Sequence, residues 1–264
     1  MKIGITQIVL GKRTLAETLS LCQEAGYEAV ELVFTQDKDL DLGMSPSELA
    51  GVRQRCATAG VEISSVIANY ADRGNLMSRH PAEREKCARC LARSLEIAGA
   101  VGAGAVLLHP GQLTVEGTYE EAWNDLRDVL REMSSLAARM GAAIGLENVW
   151  NRFLLSPREA RSFVEEVGSP WVGIYLDTAN MMAYGYPEHW IRSLGRHIRR
   201  VHLKDFVRRE HRFVNLLEGD TDWAAVMGEL RRAGYDSALV HEVGGDHQAL
   251  VDLGERMRRI VALG

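Results

Sequence analysis

The chain contains, in its second half, the stretch Gly173-Ile174-Tyr175-Leu176-Asp177, an apolar run that ends in a carboxylate. Three further apolar runs in this half also end in a polar side chain, two of them in a glutamate and one in a histidine. Each run is typical of a buried strand, so the four polar residues are expected at or near C-terminal strand ends. Two glutamates, one aspartate and one histidine suit a single divalent cation that prefers oxygen ligands with one imidazole. The predicted ligands are Glu147, Asp177, His202 and Glu242.

Short apolar runs alternate with longer amphipathic segments along the whole chain. The runs are continuously apolar, as expected when both faces of a parallel strand are covered. Alternating strands and helices predict right-handed crossover units and a parallel sheet. Strands are predicted at 2–8, 28–34, 61–68, 104–109, 143–148, 171–177, 198–203 and 237–243. Helices are predicted near 14–25, 45–59, 80–102, 118–140, 156–167, 187–194, 221–233 and 246–262.

Helix boundaries are marked by local signals. Four segments have a hydroxyl residue followed three positions later by glutamate, which is the capping-box pattern. They begin at Thr14, Ser45, Thr118 and Ser156. Glycines follow five of the predicted helices, where a left-handed cap suits glycine. These are Gly26, Gly60, Gly102, Gly141 and Gly234.

The number of units indicates how the sheet closes. The chain has 264 residues, close to the roughly 250 residues of an eight-fold β/α barrel. No linker rich in proline or serine interrupts it, so we predict one domain spanning residues 1–264. An open doubly wound sheet is the alternative, but eight regular units favour closure. In a barrel the C-terminal strand ends converge on one mouth, where barrel enzymes have their active sites.

Composition excludes several classes of protein. The net charge of −5 argues against a polyanion-binding surface, because nucleic-acid binders usually carry a basic excess. No run approaches the ~20 apolar residues of a membrane span. The first residues lack the cleavage pattern of a signal peptide. Four cysteines do not make a disulfide framework, so a reducing cytoplasm is the expected location.

Two other motifs have simpler interpretations. Cys87-Ala-Arg-Cys90 has the spacing of a zinc or redox site, but it lies in a strongly helical stretch without a four-ligand set. Core packing is therefore expected. The arginine-rich stretches 196–200 and 208–212 have no interleaved aromatic residues. A solvated loop or a sugar-phosphate contact is expected there rather than a nucleic-acid site.

Four segments resemble the metal motifs of the xylose-isomerase-like barrel superfamily. The closest resemblance is to its sugar and sugar-phosphate epimerase/isomerase branch, which includes ketose 3-epimerases and L-ribulose and L-xylulose 5-phosphate 3-epimerases. The segments are Leu146-Glu147-Asn148, Tyr175-Leu176-Asp177-Thr178, Val201-His202-Leu203-Lys204-Asp205 and His241-Glu242-Val243. In addition, Leu217-Glu218-Gly219 resembles the Gly-Glu-Gly segment that commonly follows the seventh strand, with Leu217 replacing the first glycine.

The resemblance implies a single (β/α)8 TIM barrel with one divalent cation, either Mn²⁺, Mg²⁺ or Co²⁺. The four predicted ligands match the metal ligands, and in the epimerases the two glutamates, here Glu147 and Glu242, also exchange the proton. Inverting or moving a hydroxyl next to a ketone requires removal of the proton α to the carbonyl. A bound cation stabilises the enediolate charge. The expected function is therefore an isomerase or epimerase acting on a ketose or its phosphate.

Five further residues are predicted to contact the substrate. Lys204 lies two residues past the histidine ligand, so strand alternation points it to the same side, where it binds substrate oxygens or a phosphate. Asn180 occupies a place where many relatives carry histidine. His109 and Trp150 are expected to line the mouth. Glu31 ends the second strand and is expected either to line the mouth or to bridge to a neighbouring strand.

Three alternative functions remain open at this point. A lyase of the inosose dehydratase type begins with the same α-proton removal but loses water. An apurinic-site endonuclease of this superfamily uses three zinc ions, and Asn180, together with the absence of an Asp-x-His motif after His202, argues against it. A non-catalytic sugar-binding barrel is the third, and the intact ligand set argues against it. Such barrels often pair, so a homo-oligomer is also open.

Overall fold

The computed structural model describes residues 1–68 and 73–263, so residues 69–72 and 264 of the predicted domain lie outside the described residues. The strands are β1 (Ile3–Thr6), β2 (Ala29–Phe34), β3 (Glu62–Ala68), β4 (Ala105–Leu108), β5 (Ala143–Glu147), β6 (Val172–Asp177), β7 (Ile198–Leu203), β8 (Asp205–Val207), β9 (Arg212–Val214) and β10 (Leu239–His241). Within the described ranges, eight of them form a closed barrel in the order β1-β10-β7-β6-β5-β4-β3-β2. Every neighbouring pair is parallel. The (β/α)8 barrel is therefore confirmed, and the open sheet is excluded.

The helices surround the barrel and follow the predicted order. They are α1 (Leu15–Ala25), α2 (Pro46–Thr58), α3 (Pro81–Val101), α4 (Tyr119–Met140), α5 (Pro157–Val167), α6 (Pro187–Leu194), α7 (Trp223–Arg232) and α8 (His247–Val261). All four predicted capping boxes form, at the N-termini of α1, α2, α4 and α5. Apolar side chains of strands and helices pack into one continuous core between the two layers. Burying each large apolar side chain contributes roughly 1.5–3 kcal/mol.

The β8–β9 hairpin is a feature that the sequence patterns do not predict. The stretch 208–212, expected to be a solvated loop or a sugar-phosphate contact, forms its turn and the start of β9. The buried Asp205 carboxylate holds the hairpin against the segment that leads to α7. Its Oδ1 accepts a hydrogen bond from Thr221 Oγ1 (2.6 Å), and its Oδ2 accepts from Gly219 N (3.0 Å) and Trp223 Nε1 (3.2 Å). A Cβ at Gly219 would lie 2.2 Å from Asp205 Oδ1, so this approach requires glycine.

The positions of Cys87 and Cys90 and the lengths of the helices can be compared with the expectations from the sequence. Cys87 and Cys90 lie in α3 as buried thiols, which confirms the core-packing interpretation. Burial raises the pKa of the Cys87 thiol to about 12, so it is an inert group at neutral pH. Among residues 1–68 and 73–263, no helix has the length and apolarity required to cross a bilayer.

Candidate metal centre and active site

The four predicted ligands meet at the C-terminal end of the barrel. Glu147 ends β5, Asp177 ends β6, His202 lies near the end of β7, and Glu242 follows β10 directly. One ligand atom from each residue lies within 4.8 Å of the others. The strand order places β5 and β10 three positions apart, so the two glutamates reach the cluster from different sides.

His202 is oriented by Glu31. The His202 Nε2 atom lies 3.1 Å from Glu31 Oε1, and both side chains are fully buried. Because an ionised carboxylate only accepts hydrogen bonds, Nε2 carries the proton. The other ring nitrogen, Nδ1, faces Glu242 Oε2 at 3.4 Å and Glu147 Oε1 at 3.8 Å. This pattern, with one nitrogen held by a carboxylate and the other left for a ligand, is typical of metal-binding histidines.

Glu31 was expected either to line the mouth or to bridge to a neighbouring strand, and the structure shows the second. It lies beneath His202 with no solvent exposure, so it bridges strands and does not line the mouth. Thr6 Oγ1 donates to its Oε1 and Ser65 Oγ donates to its Oε2, both at 2.8 Å. Burial alone would raise the pKa of Glu31, but His202 and these hydroxyls lower it overall. The hydroxyl partners were missed, although polar residues inside apolar strands were a visible signal.

Asp177 divides its two oxygens between the backbone and the cluster. Its Oδ1 accepts hydrogen bonds from Ala179 N (2.9 Å) and Asn180 N (2.8 Å) at the turn after β6. Its Oδ2 lies 3.0 Å from Lys204 Nζ, but no hydrogen bond of acceptable geometry reaches it. We interpret this contact as an ion pair without an aligned donor, so the oxygen remains available to a ligand.

Lys204 lies on the same side of the chain as His202, as strand alternation predicted. Its Nζ lies 3.0 Å from Asp177 Oδ2 and 2.9 Å from Glu242 Oε2, and the side chain is 16% exposed. The ammonium also sits 5.1 Å from the centre of the Phe213 ring. Burial would lower the pKa of Lys204, but the charges of Asp177 and Glu242 raise it, so the side chain stays protonated.

A cavity of about 360 Å³ opens beside the cluster. Its lining contains His109, Trp150, Asn180 and Lys204, which were predicted at the mouth, and Arg73 and Phe213, which were not. Two of the metal-ligand candidates, Glu147 and Glu242, also face it. The volume lies within the range of small-ligand pockets. Phe213 reaches the mouth through the β8–β9 hairpin, whose formation the sequence patterns did not indicate.

Aromatic side chains form the rim of this cavity. The Trp150 ring stacks on His211 (5.4 Å between centroids) and on Phe213 (5.3 Å). Trp150 Nε1 donates a 2.6 Å hydrogen bond to the carbonyl of Asn180, which fixes the ring while leaving 44% of the residue exposed. Deeper in the pocket, burial together with the charge of Arg73 lowers the pKa of His109 to about 4, so this imidazole is neutral.

The family model for the xylose isomerase-like TIM barrel matches residues 19–261, which is most of the chain. The chain belongs to this family. A putative L-ribulose-5-phosphate 3-epimerase of Haemophilus influenzae, SgbU, is 23% identical over 252 residues, covering 92% of this chain and 88% of that protein.

Two solved structures share the fold over nearly the whole chain. The structure of an L-ribulose 3-epimerase superposes with a TM-score of 0.82 at 23% identity, covering 99% of this chain and 93% of that one. The structure of the IOLI protein with a bound zinc atom gives a TM-score of 0.83 at 21% identity, covering 99% and 98%. At these identities the structural likeness establishes the fold alone.

The cluster of this xylose isomerase-like barrel fits a metal ion. Three buried side-chain nitrogen or oxygen atoms have no hydrogen-bond partner within the part of the chain that the structure describes. Two of them are Asp177 Oδ2 and His202 Nδ1, both in the cluster. The third, Arg199 Nε, packs against Gly173 near the N-terminal end of the barrel. Buried polar atoms normally have hydrogen bonds, so two ligand-type atoms without one in a single cluster, of which only Asp177 Oδ2 has an ion-pair contact, indicate a site for a cation.

The number of metal sites separates the alternatives within the family. In residues 1–68 and 73–263, only the cluster of Glu147, Asp177, His202 and Glu242 groups three or more ligand-type side chains closely enough to hold an ion. A three-zinc site therefore has no support among the described residues. Three carboxylates and one imidazole suit Mn²⁺, Mg²⁺ or Co²⁺, whereas structural zinc sites favour thiolates and imidazoles.

The two glutamates of the cluster differ in their preferred protonation state. Burial raises the pKa of Glu147, and the nearby His202 offsets this only in part. Burial acts on Glu242 too, but His202 and Lys204 lower its pKa to about 2.

Proposed function

We propose that the chain is a divalent-metal-dependent epimerase or isomerase that acts on a ketose or a ketose phosphate. The observation that carries the proposal is the pair of carboxylates, Glu147 and Glu242, which approach His202 Nδ1 from strand positions three apart at the edge of one cavity. The names of the relatives point the same way, since the Haemophilus protein is a putative L-ribulose-5-phosphate 3-epimerase and the solved structure is an L-ribulose 3-epimerase.

In the proposed reaction the two glutamates have complementary roles. One carboxylate removes the proton from the carbon next to the ketone, and the other, from the opposite face, returns a proton. Because β5 and β10 are three strands apart, this arrangement suits inversion at one carbon better than a shuttle on one face. Either glutamate can act as the base, depending on which face of the substrate carries the proton, because both would be deprotonated as ligands of the cation.

Glu147, Asp177, His202 and Glu242 would hold the divalent cation, which supplies positive charge beside the carbonyl and the neighbouring hydroxyl. The other residues would position the sugar. Asn180 and Lys204 offer donors beside the cluster, His109 offers a neutral imidazole, and Trp150 covers the apolar side of the cavity.

The test is a screen of pentuloses and hexuloses, free and phosphorylated, in the presence of Mn²⁺. In D₂O the product should carry one deuterium at the inverted carbon, because the proton exchanges with solvent while it is bound to a carboxylate. Loss of water from the product, seen as a change in mass, would indicate a lyase instead. Product that forms in D₂O with no deuterium would contradict proton abstraction altogether.

A further inference from the structure

Lys204 contacts the same oxygen atoms that the metal proposal assigns to the cation. Its Nζ lies 3.0 Å from Asp177 Oδ2 and 2.9 Å from Glu242 Oε2. Asp177 Oδ2 is the buried oxygen that lacks an aligned hydrogen bond, and Glu242 Oε2 is also the oxygen nearest His202 Nδ1. The ammonium therefore sits within the cluster and not on the open side of the cavity.

Charge balance explains why a lysine occupies this place. Glu147, Asp177 and Glu242 bring three carboxyl groups together in a site that is largely closed to water. Such like charges repel strongly when water is excluded. Arg208, another cation at the mouth, does not contribute, since its guanidinium lies 4.4 Å from the Tyr186 ring and donates to the carbonyl of Met182.

We propose that Lys204 is a built-in counter-ion that a divalent cation must displace to bind. The inference rests on the metal site of the proposed function. A divalent cation lies about 2.0–2.6 Å from its carboxylate oxygens. Bound to Asp177 Oδ2 and Glu242 Oε2, it would share both oxygens with the ammonium, and two positive charges so close repel strongly where water is excluded. The displaced ammonium remains in the cavity that it lines, where it faces the substrate.

This arrangement makes a counter-intuitive prediction about metal affinity. Removing a side chain that contacts the site should strengthen metal binding, because the ion no longer competes with a fixed positive charge. The metal-free protein should lose stability at the same time, since the carboxylates then repel one another without compensation. The two effects have opposite signs, which a general disturbance of the site would not produce.

The experiment compares the wild-type protein, Lys204→Met and Arg208→Met after removal of metal with EDTA. Mn²⁺ binding is measured by calorimetry and by the electron paramagnetic resonance signal of free Mn²⁺, without substrate. We expect Lys204→Met to bind Mn²⁺ about tenfold more tightly than wild type, and Arg208→Met to bind it equally. The melting temperature of metal-free Lys204→Met should fall below that of metal-free wild type. Mn²⁺ should raise the melting temperature of Lys204→Met by more than it raises that of wild type.

The outcomes separate this inference from the function on which it rests. If wild type binds Mn²⁺ and Lys204→Met binds it equally or more weakly, the counter-ion role is wrong while the metal site stands. If wild type binds no divalent ion, both are wrong. Lys204→Gln, which keeps a polar end without the charge, replaces the methionine variant if that variant does not fold.

Discussion

The two ends of the barrel use buried charge in different ways. At the N-terminal end, Arg200 reaches from β7 to β3 and to the segment before β10, where it donates to the Ser64 carbonyl (2.8 Å) and to Ser237 Oγ (3.2 Å). At the C-terminal end, Asp177 and His202 each keep a buried atom without a hydrogen bond. The charge of Arg200 is satisfied by neutral groups of the protein, whereas the cluster at the mouth retains ligand-type atoms that a cation can satisfy. The first arrangement serves stability and the second serves binding.

The largest expected effect is a loss of turnover when either of the two glutamates at the mouth is replaced. Glu147→Gln and Glu242→Gln each keep an oxygen for the metal and remove the group that transfers the proton. We expect each to lower turnover by at least roughly 10²-fold, the lower end of general acid–base contributions. Urea unfolding of the metal-free proteins should show no loss of stability for Glu147→Gln, whose charge is disfavoured by burial, and a loss for Glu242→Gln, which gives up its contacts with His202 and Lys204. A variant that keeps near-full turnover would contradict the two-carboxylate mechanism.

A second effect concerns Glu31, which supports the mouth from below. Glu31→Gln keeps the shape of the side chain but removes the charge that orients His202. Losses of this kind weaken metal binding by about 10- to 100-fold, and calorimetric titration with Mn²⁺ measures this directly.

Ser65→Ala is the matched control for Glu31. It removes one hydroxyl from Glu31 Oε2 and leaves the contact between Oε1 and His202 in place. We expect its effect on Mn²⁺ binding to be several-fold smaller. Equal effects of the two changes would show that Glu31 acts through general packing and not through the histidine.

At the N-terminal end of the barrel, we expect substitutions to lower stability without lowering turnover. Arg200→Met leaves the Ser64 carbonyl and Ser237 Oγ without their donor, which should lower the free energy of unfolding by about 1–3 kcal/mol. The neighbouring Arg199 is the control, because its contacts are longer, at 3.2 Å, and its Nε has no partner. Arg199→Met should therefore have the smaller effect. If Arg200→Met lowers turnover as much as a mouth variant, the separation of the two ends fails.

The parts of this molecule that depend on local patterns were predictable from the sequence. The four capping boxes and the strand-end residues Glu147, Asp177, His202 and Glu242 lie in short segments whose apolar runs define their surroundings. Because the C-terminal ends of parallel strands in a barrel meet, the cluster follows once the strands are known. The side on which Lys204 lies followed from the period of a strand in the same way.

The parts that depend on distant contacts were not predictable. The two possible positions of Glu31 could not be separated, because β2 and β7 are remote in sequence and meet only across the closed barrel. The β8–β9 hairpin was missed because a charged, arginine-rich stretch gives no apolar alternation, so Phe213 was not expected at the mouth. Alternation gave the side of Lys204, but its partners depend on β6 and on the residue after β10.

The smallest effect concerns Leu217, which stands where the family segment commonly has its first glycine. Its φ of 68° lies in the left-handed region, although the residue carries a Cβ. A left-handed conformation costs an L-residue roughly 1–2 kcal/mol, whereas glycine adopts it freely. Leu217 also packs in part against the core, so the net effect of Leu217→Gly mixes relief of strain with lost packing.

Comparing two truncations at the same position separates these effects. Leu217→Ala and Leu217→Gly both lose the apolar contact, but only glycine relieves the backbone, so Gly should be the more stable by about 1 kcal/mol. At Leu216, which is fully buried and outside the left-handed region, the order should reverse, with Gly less stable than Ala by about 0.5–1 kcal/mol. Urea unfolding of the four variants measures both differences. If Gly is less stable than Ala at both positions, Leu217 relaxes out of the left-handed conformation and this segment stores no strain.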